Sequence, residues 1–567
     1  MPERNRMSEE LLFTPLGGVG EIGMNLALYG YGGKWLMVDC GLTFADDSLP
    51  GIDLIFPDPA FIAERKDDLV GLVLTHAHED HLGAVQYLWP QLQCPVYATP
   101  YTAWLLKKKL SEVELLGQVP LTVVPTGGEV DVGGFWVSYI PVTHSIIEAH
   151  SLAITTPAGT VVHSGDWKLD PDPLVGPVTD DAALKAVGDA GVLALICDST
   201  NVLNDGRSRS ESEVRQSLID LVAEQTGRVV VTTFASNVAR ISSIAKAAEA
   251  SGRSVVLAGR SLRRNVEAAR ACGYLEDVPQ FLDEDEASYI PRESLLILCT
   301  GCQGEERGAL NRIAFHDHKH IGLEAGDTVI FSSKIIPGNE RTIGRVQNRL
   351  IYEDIRVITE KDHFVHVSGH PARDEMSDYY SWVRPEISVP VHGEARHLSR
   401  HAEFARGLGI DQAPVIENGD VLRLSPGPVE VIDHVQSGRL AWDGGKLTAL
   451  DSRAVQRRRR MMFNGIAFVV LVLDEDNELA ADPRVIVRGV FDQTDEDDIA
   501  AFNEVLVLAA ERAYDGLIVR DREDDVAIFD NVSRSVRSVL RRASDGRRPA
   551  VEVEIVRLEE LMGEDEE

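Results

Sequence analysis

Short apolar runs alternate with amphipathic stretches along most of the chain. Leu11–Leu16 reads as a strand, and Met24–Tyr29 and Lys34–Asp39, either side of a glycine-rich turn, read as a hairpin. Residues 42–68, with Pro50, Pro57 and Pro59, predict a long loop containing one short helix. Leu69–Leu74 is an unbroken apolar run and predicts a buried strand. Helices are then expected over 82–93 and 100–110, with strands at Pro95–Tyr97, Leu121–Val124, Phe135–Ile140 and Val161–Asp166. Beyond Leu193–Asn201 the period alternates again. Helices are expected at 211–225 and 237–250, and strands at Arg228–Phe234, Ser254–Leu257, Leu295–Leu298 and Thr328–Phe331, the pattern of a small parallel-sheet α/β domain. Near the C-terminus, Ile466–Leu473, Val485–Val490 and Val551–Val556 predict strands, and residues 495–514 a helix.

Composition sets outer bounds. A chain of 567 residues exceeds one ordinary core, so two to four domains are expected. The apolar fraction of 44% and charged fraction of 26% are those of a globular protein. No charged-then-apolar leader opens the sequence, and no apolar run is long enough to span a bilayer, so membrane association is not expected. Six scattered cysteines fit a reducing cytoplasm better than a disulfide framework. The formal charge of −34 argues against sequence-blind nucleic-acid binding over the general surface. It leaves room for a locally cationic cleft, because bound metal ions can be the largest charges in a site.

The candidate chemistry is concentrated at Thr75-His76-Ala77-His78-Glu79-Asp80-His81-Leu82-Gly83, directly after the strand Leu69–Leu74. Imidazole nitrogen and carboxylate oxygen suit divalent transition metals, and neighbouring loop residues can converge on paired ions. A polar turn capping a helix near Asp80 would account for the aspartate but not for three histidines. Gly18-x-Gly20-x-x-Gly23 has the form of a dinucleotide fingerprint, yet a strand follows it where a phosphate-binding helix is required. Cys299-Thr300-Gly301-Cys302 has zinc-knuckle spacing without a second cysteine pair, and both thiols are expected to be buried. His316, His318 and His320 are read as surface histidines of a polar loop.

His76-x-His78-x-Asp80-His81 resembles the signature of the metallo-β-lactamase superfamily. Asp39, His144 and Asp166, each at a strand end, match its further motifs. Asp198-Ser199-Thr200-Asn201, His366-Val367-Ser368-Gly369-His370 and Val391-His392-Gly393-Glu394 resemble the three β-CASP motifs of nucleic-acid-processing members. Gly17-Gly18-x-x-Glu21-Ile22-Gly23-x-Asn25, Phe234-Ala235-Ser236-Asn237, Thr300-Gly301-x-Gln303-Gly304-Glu305 and Phe331-Ser332-Ser333…Ile336-Pro337-Gly338-Asn339-Glu340 are similar to the bacterial ribonuclease J family, over roughly residues 11–440.

The resemblance implies an α/β fold: a metallo-β-lactamase αββα sandwich with an inserted β-CASP α/β domain and a small C-terminal α/β domain. The corresponding boundaries are 1–205 and 351–445 for the sandwich, 206–350 for the insert, 446–462 for a linker and 463–560 for the C-terminal domain. An acidic tail at 561–567 is expected to be disordered. By resemblance, His76, His78 and His144 hold one divalent metal, Asp80, His81 and His392 hold a second, and Asp166 bridges them. Zinc is expected, with manganese the alternative, since no thiolate distinguishes them. Asp39 would support the metal loop from behind the ligands. Asp80, Asp166 and His370 are assigned to catalysis, with His370 near the leaving oxygen. Ser236, Asn237, His366, Ser368 and Gly369 would cradle the RNA and its 5′-terminal phosphate, although each could instead be a turn or cap residue.

The implied activity is a two-metal ribonuclease with 5′-to-3′ exonuclease and endonuclease action on single-stranded RNA, in RNA maturation and decay in the cytoplasm. A homo-dimer or higher homo-oligomer formed through the C-terminal domain, and RNA-decay or ribosome-associated partners, are part of the same expectation. The rival readings are a β-CASP nuclease acting on DNA, a small-ester hydrolase, and a catalytically silent RNA-binding scaffold. All seven metal positions are filled here, which weighs against the last. Arg453–Arg460 is a basic, helix-like stretch that could contact RNA or be an ordinary solvated face. Residues 145–150 depart from the family's usual turn after His144, leaving the shape of the active-site rim open.

Overall fold

The computed structural model describes residues 9–490, 496–544 and 546–558. The expected tail at 561–567 lies outside them. The chain divides into two compact units: one runs to Phe44 and resumes over Leu54–Leu440, the other combines Ala45–Asp53 with the chain from Ala441 onward.

The sandwich in the first unit is built on two sheets. In the eight-stranded one the order is Glu430–His434, Asp420–Ser425, Leu11–Gly17, Leu26–Tyr31, Lys34–Val38, Leu69–Val73, Val96–Ala98 and Leu121–Val123. The six-stranded sheet runs Pro385–Val391, Val192–Asp198, Gly159–His163, Ala149–Thr156, Phe135–Val142 and Glu129–Val132. Alternate residues of both, among them Phe13, Tyr29 and Val73 from one and Tyr139, Ile154 and Val389 from the other, form one apolar core between the layers. The helices Val85–Leu92 and Pro100–Glu112 bury Leu88, Tyr101 and Leu106 beside the first sheet. Asp181–Ala190, Arg373–Val383 and Ala395–Gly407 share a second core with the other sheet, around Trp167, Tyr379 and Val383. This is an αββα sandwich.

Between Asp198 and the strand Pro385–Val391 lies a five-stranded sheet, ordered Ser254–Ala258, Leu295–Cys299, Val229–Thr232, Thr328–Phe331 and Arg356–Ile358. Every pair is parallel. The strands are apolar on both faces, as in a sheet covered by helices; Glu211–Ala223 leads into Val229–Thr232, and Val238–Ala250 connects that strand to Ser254–Ala258. Ser210 and Glu213 form a reciprocal capping box that starts the first of these helices. Arg356–Ile358 extends this sheet past the expected boundary at residue 350.

In the second unit, Ile466–Leu473 is the central strand between Arg484–Arg488 and Ala550–Arg557, with helices Glu496–Asp515 and Asp525–Ala543 sharing its core. The segment expected as a linker contains a strand, Lys446–Ala449, and a helix, Arg453–Asn464. In that basic helix Arg458 pairs with Asp443, and Arg457 lies 3.4 Å from Glu552, so at least two of its charges are engaged internally.

Two local expectations are corrected. Residues 149–150, read as part of a divergent turn, begin the eight-residue strand Ala149–Thr156, and the turn is set by Glu148 at φ +55°. His318 is not a surface histidine: its side chain is 3% exposed, its Nδ1 accepts the Ile321 N–H, and its Nε2 faces Glu284. His316 and His320 are exposed as expected, and Cys299 and Cys302 are buried free thiols. No helix among the described residues is long and apolar enough to cross a membrane.

Candidate metal centre

The strand ends of both sheets converge on one rim of the sandwich. Lys34–Val38 delivers Asp39, whose φ of +61° is a left-handed conformation that aspartate tolerates better than most residues. Leu69–Val73 leads to Thr75 and His76, and the helical turn Glu79–Leu82 presents Asp80 and His81. Phe135–Val142 supplies His144, Gly159–His163 supplies Asp166, and Pro385–Val391 supplies His392. His392 comes from far along the chain because its strand pairs in parallel with Val192–Asp198 after the inserted sheet is complete.

Three imidazole nitrogens point at one another. His78 Nδ1 lies 3.1 Å from His76 Nε2 and 3.1 Å from His144 Nε2. One proton cannot satisfy both contacts. Nitrogens held tetrahedrally around a zinc-sized ion would be about 3.3 Å apart. The outer nitrogens are already committed: His144 Nδ1 donates to the Gly369 carbonyl at 2.6 Å, and His76 Nδ1 meets Thr75 Oγ at 3.0 Å. Thr75 Oγ itself donates to Asp39, so it must accept from His76, leaving the His76 Nε2 lone pair free. Burial and the neighbouring imidazoles hold His76 well below the usual histidine range, and burial holds His78 down at about 4. These rings are therefore neutral and able to ligate.

The second cluster is acidic. His81 Nε2 lies 3.2 Å from Asp166 Oδ2 and 3.7 Å from Asp80 Oδ2, and His392 Nε2 lies 3.3 Å from Asp80 Oδ2. Asp166 also comes within 4.0 Å of His76 and 3.8 Å of His144, so it faces both clusters. Burial opposes charge on His81, but the carboxylates of Asp166, Asp80 and Asp39 outweigh it and drive its affinity for a proton well up. A pocket that draws positive charge this strongly suits a divalent cation, and the donor set of nitrogen and oxygen fits one. Ligand atoms of His76, His78, His144 and Asp166, and of Asp80, His81, Asp166 and His392, lie within 4.8 Å of one another in each group.

The supporting contacts follow one rule: each ring is fixed by its outer nitrogen. Asp39 accepts His81 Nδ1–H at 2.7 Å together with the Thr75 N–H and hydroxyl, both at 2.8 Å. His392 Nδ1 meets Thr200 Oγ at 2.8 Å, and Thr200 in turn donates to Asp198 Oδ1 at 2.7 Å. The other oxygen of Asp198 accepts His370 Nδ1–H at 2.7 Å. Burial works against a charge on His370, but Asp198 outweighs it and holds the imidazole above its usual range. Asp198 and Thr200 stand in a motif legible in the sequence, yet their task of holding both histidines was not.

Most of the residues expected to cradle the phosphate already have partners within the protein. Asn237 is buried and spent on the fold: its Oδ1 accepts the Arg240 N–H and its Nδ2 donates to Glu211. Ser236 Oγ lies 3.1 Å from His78 Nε2, against a ligand candidate. Ser368 Oγ accepts from Asn201 Nδ2 at 2.7 Å and from the His370 N–H at 3.1 Å. Gly369 acts through its carbonyl on His144 and allows close approach, since a Cβ there would meet Ser145 Oγ at 2.7 Å. His366 is half-buried, and its Nδ1 has no hydrogen-bond partner.

Known protein families match along most of the chain. Residues 22–232 fit the metallo-β-lactamase superfamily, 226–350 the ribonuclease J β-CASP domain, 354–413 the RNA specificity domain of zinc-dependent metallo-hydrolases, and 453–558 the ribonuclease J C-terminal domain. Ribonuclease J of Sinorhizobium meliloti is 46% identical over 97% of this chain and 98% of its own. The chain belongs to the ribonuclease J family. Other ribonuclease J proteins are similar over nearly their whole length: that of Mycolicibacterium smegmatis at 37% identity over 93% of this chain and 94% of its own, and that of Thermus thermophilus at 34% over 95% and 93%. A crystal structure of a protein of unknown function from Enterococcus faecalis shares the fold, with a TM-score of 0.51 and 17% identity over 73% of this chain and all of that one. The domains are those of a metal-dependent ribonuclease J, with a hydrolytic core, a β-CASP insert and a C-terminal domain.

Proposed function

We propose that the protein hydrolyses single-stranded RNA with two divalent metal ions, as a 5′-to-3′ exonuclease preferring 5′-monophosphate ends and as an endonuclease. The observation that carries this reading is the pair of converging donor clusters sharing Asp166, with His370 beside them. His76, His78 and His144 would hold one ion, Asp80, His81 and His392 the other, and Asp166 both. Zinc is favoured over manganese on the family's description as zinc-dependent metallo-hydrolases. When bound, the ions supply Lewis-acid polarisation of the phosphate and activation of the attacking water.

The chain's own residues do the rest. His370, charged through Asp198, donates a proton to the departing 3′ oxygen, so the downstream product keeps the 5′-phosphate. Asp198 holds that imidazole by Nδ1 and leaves Nε2 to face the substrate. The 5′-phosphate would be held by the Ser368 and Ser236 hydroxyls, His366 and backbone groups near Gly369. Asn237 is withdrawn from that set because its side chain is committed elsewhere.

A cytoplasmic location and self-association through the C-terminal unit belong to the same proposal. Phe468, 45% exposed, pairs with Ile486 and Glu552, and Val470 with Arg484 and Glu554. With Glu552 engaged by Arg457, that face carries an apolar centre between Arg484 on one edge and Glu554 on the other, which a second copy can complement by two-fold symmetry. The test of the activity is a time course on one RNA bearing a 5′-monophosphate, a triphosphate or a hydroxyl, with the matching DNA alongside. RNA-selective decay, fastest from the monophosphate, is expected. Equal rates on all three ends would remove the phosphate pocket, and preference for DNA would remove the ribonuclease reading.

A further inference from the structure

Resting on the metal-centre reading above, we infer that Ser236 is a positioning residue through which the inserted sheet holds the His78 imidazole. The rings of His76, His81, His144 and His392 are fixed by Thr75, Asp39, the Gly369 carbonyl and Thr200, all outside the inserted five-stranded sheet. His78 is different. Its Nδ1 faces the other two histidines, and its outer nitrogen, Nε2, meets Ser236 Oγ at 3.1 Å.

Ser236 lies between the strand Val229–Thr232 and the helix Val238–Ala250, at the carboxyl end of the parallel sheet. Its turn is held firmly. The Asn237 N–H donates to the Phe234 carbonyl, and the Val238 N–H to that of Ser236. Asn237 and the fully buried Arg240 both bind Glu211, and Arg240 also donates to the carbonyls of Ser332 and Val365. A hydroxyl on so braced a turn can orient a ring. With the Nδ1 lone pair of His78 turned to an ion, Nε2–H donates to Ser236 Oγ. The serine's own proton is then free for a phosphate oxygen of the strand. Docking of the insert thus sets one of the ligands, through a hydroxyl whose own proton remains available to the substrate.

The test measures metal affinity, separately from turnover. Full-length wild type, Ser236→Ala and Ser236→Thr are titrated with Zn2+ against a chromophoric chelator. Loss of an orienting partner should weaken one of two equivalents by roughly 10- to 100-fold. The other equivalent should be unchanged, and threonine should restore the first. Unchanged affinity in Ser236→Ala overturns the inference, even if its preference among 5′ ends narrows, because Ser236 would then serve the phosphate alone. Equal weakening of both equivalents also overturns it, as a general loosening of the site. A wild-type chain that takes up fewer than two ions would refute the metal-centre reading itself, which the variant comparison cannot do.

Discussion

Replacing Asp198 by asparagine separates proton donation from metal binding. In the native site one carboxylate oxygen accepts His370 Nδ1–H at 2.7 Å, while the other accepts the Thr200 N–H at 2.8 Å and its hydroxyl at 2.7 Å. An asparagine can keep its oxygen towards Thr200, which leaves the support of His392 in place. Its NH2 group then faces His370 Nδ1, donor against donor, unless the imidazole gives up that proton. The ring becomes neutral, carrying its proton on Nε2, and a neutral imidazole is a much weaker acid than the charged one. A charge-assisted hydrogen bond contributes about 1.5–3 kcal/mol, which corresponds to a rate loss of roughly 10- to 200-fold.

The pH profile gives a second readout. Because Asp198 raises the native pKa of His370, the acid form is present at low pH and is lost as pH rises through that raised value. In Asp198→Asn the falling limb should move to lower pH. The assay is single-turnover cleavage of 5′-labelled RNA across pH, with metal content measured on the same samples. A rate and limb indistinguishable from wild type, with metals retained, would refute the assignment of His370 as the acid. Loss of metal in step with activity would show that Asp198 serves His392 first.

Two further outcomes are expected. Asp39→Asn removes the acceptor of His81 Nδ1–H and should lower affinity for the acidic-cluster ion roughly 10- to 100-fold, read by chelator competition, while the fold stays intact by circular dichroism. Gly369→Ala places a Cβ 2.7 Å from Ser145 Oγ and 2.9 Å from His144 Cε1, so it should destabilise by about 1–3 kcal/mol and weaken the three-histidine site, read by thermal unfolding with and without Zn2+.

What was legible in the sequence was what is local. His76, His78, Asp80 and His81 fall within one strand end and one helical turn, so their spacing alone announces a ligand cluster. Strands apolar on both faces, such as Val229–Thr232 and Leu295–Cys299, announced the inserted parallel sheet. The strand Ala149–Thr156 escaped because it is buried nearly throughout and has no alternation to betray it, with His150 and Ser151 among its buried residues. The helices Arg260–Ala271 and Asp525–Ala543 were also missed.

The contacts that brace the candidate ligands join residues far apart in the chain. Asp198 and His370 are separated by 172 positions, His144 and Gly369 by 225, and His78 and Ser236 by 158. No local pattern encodes such pairs, and each could have been a turn or cap residue in another fold. Asn237 shows the reverse case. Its neighbours in the motif suggested a substrate contact, but a buried arginine nearby required a countercharge, and the amide became part of the frame that holds Glu211 against Arg240. A buried ion pair of this kind is costly to desolvate and needs every remaining hydrogen bond satisfied. Arg240 meets that requirement by binding Glu211, Ser332 and Val365 at once, so the turn carrying Ser236 is fixed by the demands of burial. The insert's internal electrostatics thereby determine where one hydroxyl stands beside His78, and a substitution at Glu211 or Arg240 would reach the metal centre through Ser236 without touching any ligand.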